Sequence, residues 1–235
     1  MTSPNTGSDV PNYAAILWDN DGVLVDTERW YFDATRAVFA EAGIDLTPGI
    51  YSEYFLTHSG GTSRLAAERG LNESDIAALT DTRNARYLHL LEHEDITIDG
   101  VQDTLAALQP HFTMGVVTSA RRSHFEAIHR RSGLLEFFDF ALTHEDYARS
   151  KPAPDPYIAA VARTGFPAAR CLAIEDAPRG LAAARAAGID CWVIRTGLTR
   201  GVPFPGAGRV LNSITDAASL LLGGTSPAGS PSGPS

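Results

Sequence analysis

Short apolar runs alternate with amphipathic stretches along most of this chain, and the two periods predict its elements. Ala14–Trp18 is apolar throughout and stops at Asp19–Gly22, the pattern of a buried strand ending in a turn. A helical pattern around Val101–Leu108 precedes a second run at Phe112–Val117, which ends in Thr118–Ser119. A helix near Ser123–Ser132 leads to a run at Phe137–Leu142, and a helix at about Asp155–Thr164 leads to Cys171–Ile174, which ends in Glu175–Asp176. A last helix at about Pro178–Ala187, stopped by Gly188, leads to Cys191–Ile194. Strands apolar on both faces and separated by helices predict an α/β fold, a doubly wound, Rossmann-like parallel sheet with helices on either side.

From about Thr27 to Asp95 the rhythm breaks. This stretch reads as helices only: Arg29–Ala42 ended by Gly43, a piece near Ser63–Arg69 ended by Gly70, and a long one near Glu73–Glu92. The simplest organisation is an α/β core from residues 13–26 and 96–222, with a small helical cap, residues 27–95, inserted after the first strand. Residues 1–12 and 223–235 are rich in Gly, Ser, Pro and Thr without apolar periodicity and read as flexible tails.

Composition narrows the partners. With 235 residues, 44% hydrophobic and 20% charged, the chain can bury a core and is neither disordered nor fibrous. No window reaches the roughly 18 apolar residues of a membrane span. A net charge of −9, from 19 Lys+Arg against 28 Asp+Glu, argues against nucleic acid and anionic membranes as partners. A small anionic substrate would need a local basic pocket. The first residues carry no basic segment followed by an apolar one, and Cys171 and Cys191 lie inside apolar runs as expected of reduced thiols, so the expectation is a cytoplasmic protein. Oligomeric state is left open, a monomer being compatible. Of the 19 basic residues 18 are arginine, and the single lysine, Lys151, stands in Ser150–Asp155.

The polar residues at the expected strand ends carry the chemistry. Asp19 and Asp21 follow the first strand, Thr118 and Ser119 the second, Glu175 and Asp176 a later one, with Lys151 just before the intervening helix. In a parallel sheet the carboxyl ends share one edge, where ligands bind, so these groups converge. Gathered carboxylates repel unless a cation or proton compensates, which implies a divalent ion. Oxygen ligands without histidine or thiol select Mg²⁺ over Zn²⁺, and Mg²⁺ favours phosphate oxygens. Alternatively, Glu175–Asp176 would cap the helix that begins near Pro178, a role compatible with metal binding.

Trp18–Glu28 (WDNDGVLVDTE), Val116–Ala120 (VVTSA), Ser150–Tyr157 (SKPAPDPY) and Ile174–Gly188 (IEDAPRGLAAARAAG) resemble the four ordered motifs of the haloacid dehalogenase superfamily. They are closest to its branch with a helical cap after the first motif, which includes β-phosphoglucomutase and phosphoglycolate phosphatase-like enzymes. The resemblance spans about Tyr13 to Gly188 and implies a phosphatase that works through an aspartyl-phosphate. It implies Asp19 as nucleophile, Asp21 as general acid–base, Thr118 as a phosphoryl contact, and Lys151 as the cation that neutralises phosphate charge and braces Asp19. Mg²⁺ would be held by Asp19, Asp176 and the backbone carbonyl of Asp21, with Glu175 as a direct or water-mediated ligand. Ser119 falls where relatives contact the substrate. A phosphosugar mutase is the alternative, but β-phosphoglucomutases carry a histidine in the first cap helix where this chain has Trp30–Tyr31–Phe32. A haloacid dehalogenase is disfavoured, because Asp21 supplies a proton donor that halide displacement does not need. A non-catalytic binding module is disfavoured by the complete set of motif residues.

In this branch the cap selects the part of the substrate that is not phosphate, here expected to be a sugar. His58–Arg64 forms a glycine-containing loop entering a helix. Backbone amides near Gly61 and Thr62 could bind an anion, with Arg64 adding a bidentate contact and His58 a weaker one, or the loop could be only a turn and cap.

Overall fold

The computed structural model describes residues 12–94 and 96–223. The expected tails at 1–12 and 223–235 lie almost wholly outside them. Six strands, β1 (Ala15–Trp18), β2 (Thr113–Val117), β3 (Phe140–Leu142), β4 (Cys171–Glu175), β5 (Asp190–Ile194) and β6 (Arg209–Leu211), form one sheet in the order β3-β2-β1-β4-β5-β6. Every pairing is parallel. The chain moves outward from β1 to β3 and then crosses β1 to β4, so the crossover direction reverses between β1 and β4. That switch point opens a crevice at the carboxyl edge. In register, Trp18 lies level with Val116 on one side and Ile174 on the other, so the residues that follow these strands emerge side by side.

Alternation along each strand feeds two cores. Ile16, Trp18, Met114, Val116, Ile174 and Trp192 point to one face, beneath α5 (Val101–Leu108), α6 (Arg122–His129) and α9 (Ile214–Leu221). Ala15, Leu17, Ala173 and Val193 point to the other, where Tyr157 and Leu181 come from α7 (Asp155–Thr164) and α8 (Pro178–Ala186). Both faces being covered explains the unbroken apolar runs.

Between β1 and α5 the chain is helical. It contains α1 (Glu28–Glu41), α2 (Pro48–Tyr51), a π-helical turn (Ser52–Leu56), α3 (Gly61–Glu68) and α4 (Glu73–His93). Phe32, Phe39, Tyr51, Phe55, Leu65 and Leu79 make a third apolar cluster. Aromatic rings knit it: Tyr51 stacks on Phe55 at 4.7 Å and meets Phe32 edge-on at 4.9 Å.

Five elements differ from the expectations. The run at Phe137–Leu142 begins its strand at Phe140, because Leu134–Phe137 closes a 3₁₀ turn and the Asp139 carboxylate accepts the Met114 N–H at 2.9 Å. The short α2 and the π turn carry little periodicity and are held by their aromatic packing. The edge strand β6 has only three residues between Gly/Pro segments. Helix α9 starts at a capping box of Ser213 and Asp216, a local signal that was readable and lies within the expected core range.

Gly61 tests how α3 is seated. A Cβ there would lie 2.6 Å from the Tyr54 carbonyl oxygen and 2.8 Å from the Phe55 ring. Gly61→Ala is expected to lower the unfolding free energy by about 1–3 kcal/mol in urea titrations. Gly49→Ala, in α2, where the added Cβ would meet only Thr47 Oγ1 at 3.9 Å, should be neutral or mildly stabilising. Equal stability of both variants would contradict the seating of α3 against the π turn.

Candidate active site

The site begins at the end of β1. The Asp19 N–H donates to the Ile174 carbonyl at 2.9 Å, and the Asn20 carbonyl accepts the N–H groups of Val23, Leu24 and Val25. Gly22 makes this turn possible, with φ +81°, and a Cβ there would lie 2.2 Å from Asp176 Oδ2. Asp19, Glu175 and Asp176 each present an oxygen to a common point, these atoms lying within 4.8 Å of one another. Gly180 in α8 lets Glu175 approach: a Cβ would lie 1.9 Å from Glu175 Oε2.

Lys151 is 2% exposed and spends all three N–H donors, on Asp19 Oδ1 at 2.8 Å, Glu175 Oε1 at 2.6 Å and the Val117 carbonyl at 2.7 Å. Burial opposes its charge, but Asp19 and Glu175 outweigh it and hold the ammonium well above its ordinary pKa. Tyr157 donates a further bond to Glu175 Oε1. One ammonium does not balance three carboxylates. Burial first, then the Asp19 charge, raises Glu175 to about 7 and Asp176 well above the carboxylate range. Glu175 Oε2 and Asp176 Oδ2 are buried without a hydrogen-bond partner. An all-oxygen donor set with two orphaned carboxylate oxygens and surplus negative charge fits a hard divalent cation.

Asp21 is held apart from that cluster. Thr27 donates to its Oδ1, Tyr87 reaches the same oxygen at 3.4 Å, and Thr118 and Asn20 reach Oδ2 at 3.3 and 3.4 Å. Its carboxylate therefore stands outside the metal-competent group, which leaves its backbone carbonyl as the atom through which Asp21 would join a ligand set. Thr118 departs from expectation. It is fully buried, its hydroxyl donates to Asp21 and accepts the Ala120 N–H at 3.0 Å, and it does not line the cavity. Its neighbour Ser119 does, with a buried Oγ that has no partner.

Above these groups lies a cavity of about 300 Å³ between the sheet edge and the helices inserted after β1. His58, Gly61 and Thr62 line it. Arg64 does not: its guanidinium sits 4.5 Å from the Tyr54 ring centroid and 3.3 Å from Glu68, which turns it along the outer face of α3. On the helical side the cavity is instead faced by Arg83, 6% exposed, bonded to Thr62 Oγ1 at 3.0 Å and to the Tyr31 hydroxyl, while Arg179 lines it from α8. No local pattern marks Arg83 among the polar residues of the 21-residue α4. Glu28, at the close of the first motif, also lines the cavity and accepts a bond from Tyr51. Burial raises its carboxyl to about 7 against the opposing charge of Arg179. At the start of α6, Arg122 bonds Asp146 at 2.8 Å on the surface, whereas its neighbour Arg121 lines the cavity.

The chain matches the haloacid dehalogenase-like hydrolase family over residues 16–194 and belongs to it. It is a hydrolase of that family. Protein CbbY of Cereibacter sphaeroides is 32% identical over 218 residues, covering 88% of this chain and 94% of that protein. Fructose-1-phosphate phosphatase YqaB of Escherichia coli is 29% identical over 188 residues, 78% of this chain and 97% of that protein. A crystal structure of a CbbY mutant from Rhodobacter sphaeroides in complex with xylulose-(1,5)bisphosphate superposes with a TM-score of 0.75 at 30% identity, over 87% of this chain and 96% of that one. Among the described residues no helix is long and apolar enough to cross a membrane.

Two outcomes follow from the charge imbalance. In chelator-treated protein, Asp176→Asn should raise the melting temperature by about 2–4 °C per kcal/mol of repulsion relieved, while abolishing the increment that a divalent ion gives the parent. A variant that melts lower without metal and still gains from it would contradict the cluster. Separately, Glu28 keeps its proton in the folded state up to about pH 7 but loses it near 4.5 when unfolded, so its contribution to stability is lost as pH rises through that window. Glu28→Gln should flatten the fall in melting temperature between pH 5 and 8; an unchanged slope would remove Glu28 from the account.

Proposed function

We propose that this protein is a magnesium-dependent phosphatase of a small phosphorylated metabolite, with a sugar phosphate as substrate. The observation that carries the reading is the division of labour between two carboxylates two residues apart. Asp19 is held on one oxygen by Lys151 and faces the acidic cluster, whereas Asp21 is surrounded by hydroxyl and amide donors. These are the environments of a nucleophile and of a proton-transfer group.

Asp19 attacks phosphorus and the ester P–O bond breaks as Asp21 gives its proton to the leaving oxygen. Asp21, now a carboxylate, takes a proton from the water that opens the aspartyl-phosphate, which releases phosphate and returns Asp19 to its carboxylate and Asp21 to its protonated form. Lys151 keeps Asp19 oriented and offsets phosphoryl charge in a site where little water dilutes it. Ser119, with its free hydroxyl, is the donor to the phosphoryl oxygens, and Thr118 steadies Asp21 behind it. Asp19, Asp176 and the Asp21 carbonyl would hold Mg²⁺, with Glu175 directly or through water. Bound there, the ion neutralises phosphate charge and lines up the phosphoryl group.

Residues 27–95 act as a cap that closes over the sugar, with His58, Thr62 and Arg83 facing its hydroxyls. Support for the substrate class comes from the likeness to YqaB and to the bisphosphate-bound CbbY variant. Phosphate release from a panel of sugar phosphates, phosphoglycolate and nucleotides tests the proposal. Asp19→Asn should lower Mg²⁺-dependent kcat by about 10³-fold or more. Turnover unchanged by that substitution would overturn it.

A further inference from the structure

Asn20, between the two motif aspartates, is fully buried, and its side chain belongs to a directional chain of hydrogen bonds. The Leu134 N–H donates to Ser132 Oγ at 3.1 Å, Ser132 Oγ meets His129 Nδ1 at 2.8 Å, His129 Nε2 meets Asn20 Oδ1 at 2.8 Å, and Asn20 Nδ2 reaches Asp21 Oδ2 at 3.4 Å. The Asp21 carboxylate decides the direction. Turned the other way, the Asn20 amide would set its carbonyl oxygen against a carboxylate oxygen, so the NH₂ faces Asp21 and the carbonyl faces His129.

His129 is 6% exposed, and burial lowers its pKa to about 4, leaving a neutral ring with one N–H. That hydrogen must sit on Nε2 to serve Asn20, which makes Nδ1 the acceptor for the Ser132 hydroxyl. Ser132 already accepts from Leu134, so its own hydrogen is free to donate. Each link specifies the next, and all point toward Asp21. The ring is fixed against Phe125, with centroids 4.5 Å apart.

We propose that His129, set by Ser132, is a positioning residue that acts through the Asn20 amide to hold Asp21 in its proton-transfer geometry. This rests on the reading of Asp21 as the proton donor. Without the Nε2 donor the Asn20 amide is free to turn, and its carbonyl then displaces the Asp21 carboxylate from the leaving oxygen.

The test uses an alkyl ester, fructose 1-phosphate or the best substrate of the panel above, beside p-nitrophenyl phosphate, whose phenolate leaves with little need of a proton. His129→Phe keeps the volume beside Phe125 and deletes the donor. It should lower kcat/KM for the alkyl ester by about 10- to 100-fold and for the aryl ester by no more than about threefold. His129→Gln, which returns an N–H donor near the Nε2 position, should bring the alkyl value back to within about threefold of the parent. A purely structural role would lower the melting temperature and both esters alike, without rescue by Gln. Equal losses on the two esters, no loss, or a Gln variant as poor as Phe would each overturn the inference. Asn20→Leu breaks the same chain at its next link and should give the same ester selectivity if the Phe variant fails to fold. Asp21→Asn separates the two claims. If it spares the alkyl ester, the reading of Asp21 fails. If it removes alkyl turnover while His129→Phe does not, only the positioning role fails.

Discussion

The architecture of the site depends on one buried ammonium placed between two carboxylates. Lys151 bonds Asp19, Glu175 and the Val117 carbonyl at once, so it ties the ends of β1, β2 and β4 to the segment before α7. Three carboxylates could not share a dry sheet edge without such a partner. Even so, the ammonium leaves negative charge uncompensated and two oxygens unbonded, an arrangement that a divalent cation completes.

The sheet supplies what electrostatics cannot, a fixed geometry. β1 is buried on both faces and flanked by β2 and β4, so Asp19 leaves the strand at a height set by register rather than by loop conformation. Glycine lets the acidic groups close up, at Gly22 by a left-handed backbone beside Asp176 and at Gly180 by the absence of a side chain against Glu175. Opposite them, the inserted helices bring Arg83, Thr62 and His58 to the far side of the same cavity. One end of the cavity is thus acidic, and the other presents hydroxyl, imidazole and guanidinium groups.

Much of this was legible in the chain. The β–α alternation, the helical break from Thr27 to Asp95, and the convergence of Asp19, Glu175, Asp176 and Lys151 all follow from strand-end position in a parallel sheet. Where local pattern misled, competing side-chain partners, distant in the chain or on the same helix, decided the outcome. Thr118 has the right type and place to touch a phosphoryl group, yet its hydroxyl is taken by Asp21. Arg64 begins a helix beside the cavity, yet Tyr54 and Glu68 draw it to the outer face.

Apolar periodicity and the order of polar residues at strand ends determined the fold class and the acidic centre, because both depend on spacing along the chain. Only tertiary structure decided the wall facing that centre. Arg83 in the middle of α4, Glu28 at the start of α1 and the link from Ser132 through His129 to Asn20 join residues separated by up to 109 positions. Their meeting is set by how helices pack on one another and on the sheet, which depends on the shapes of many side chains at once and leaves no mark at any single position.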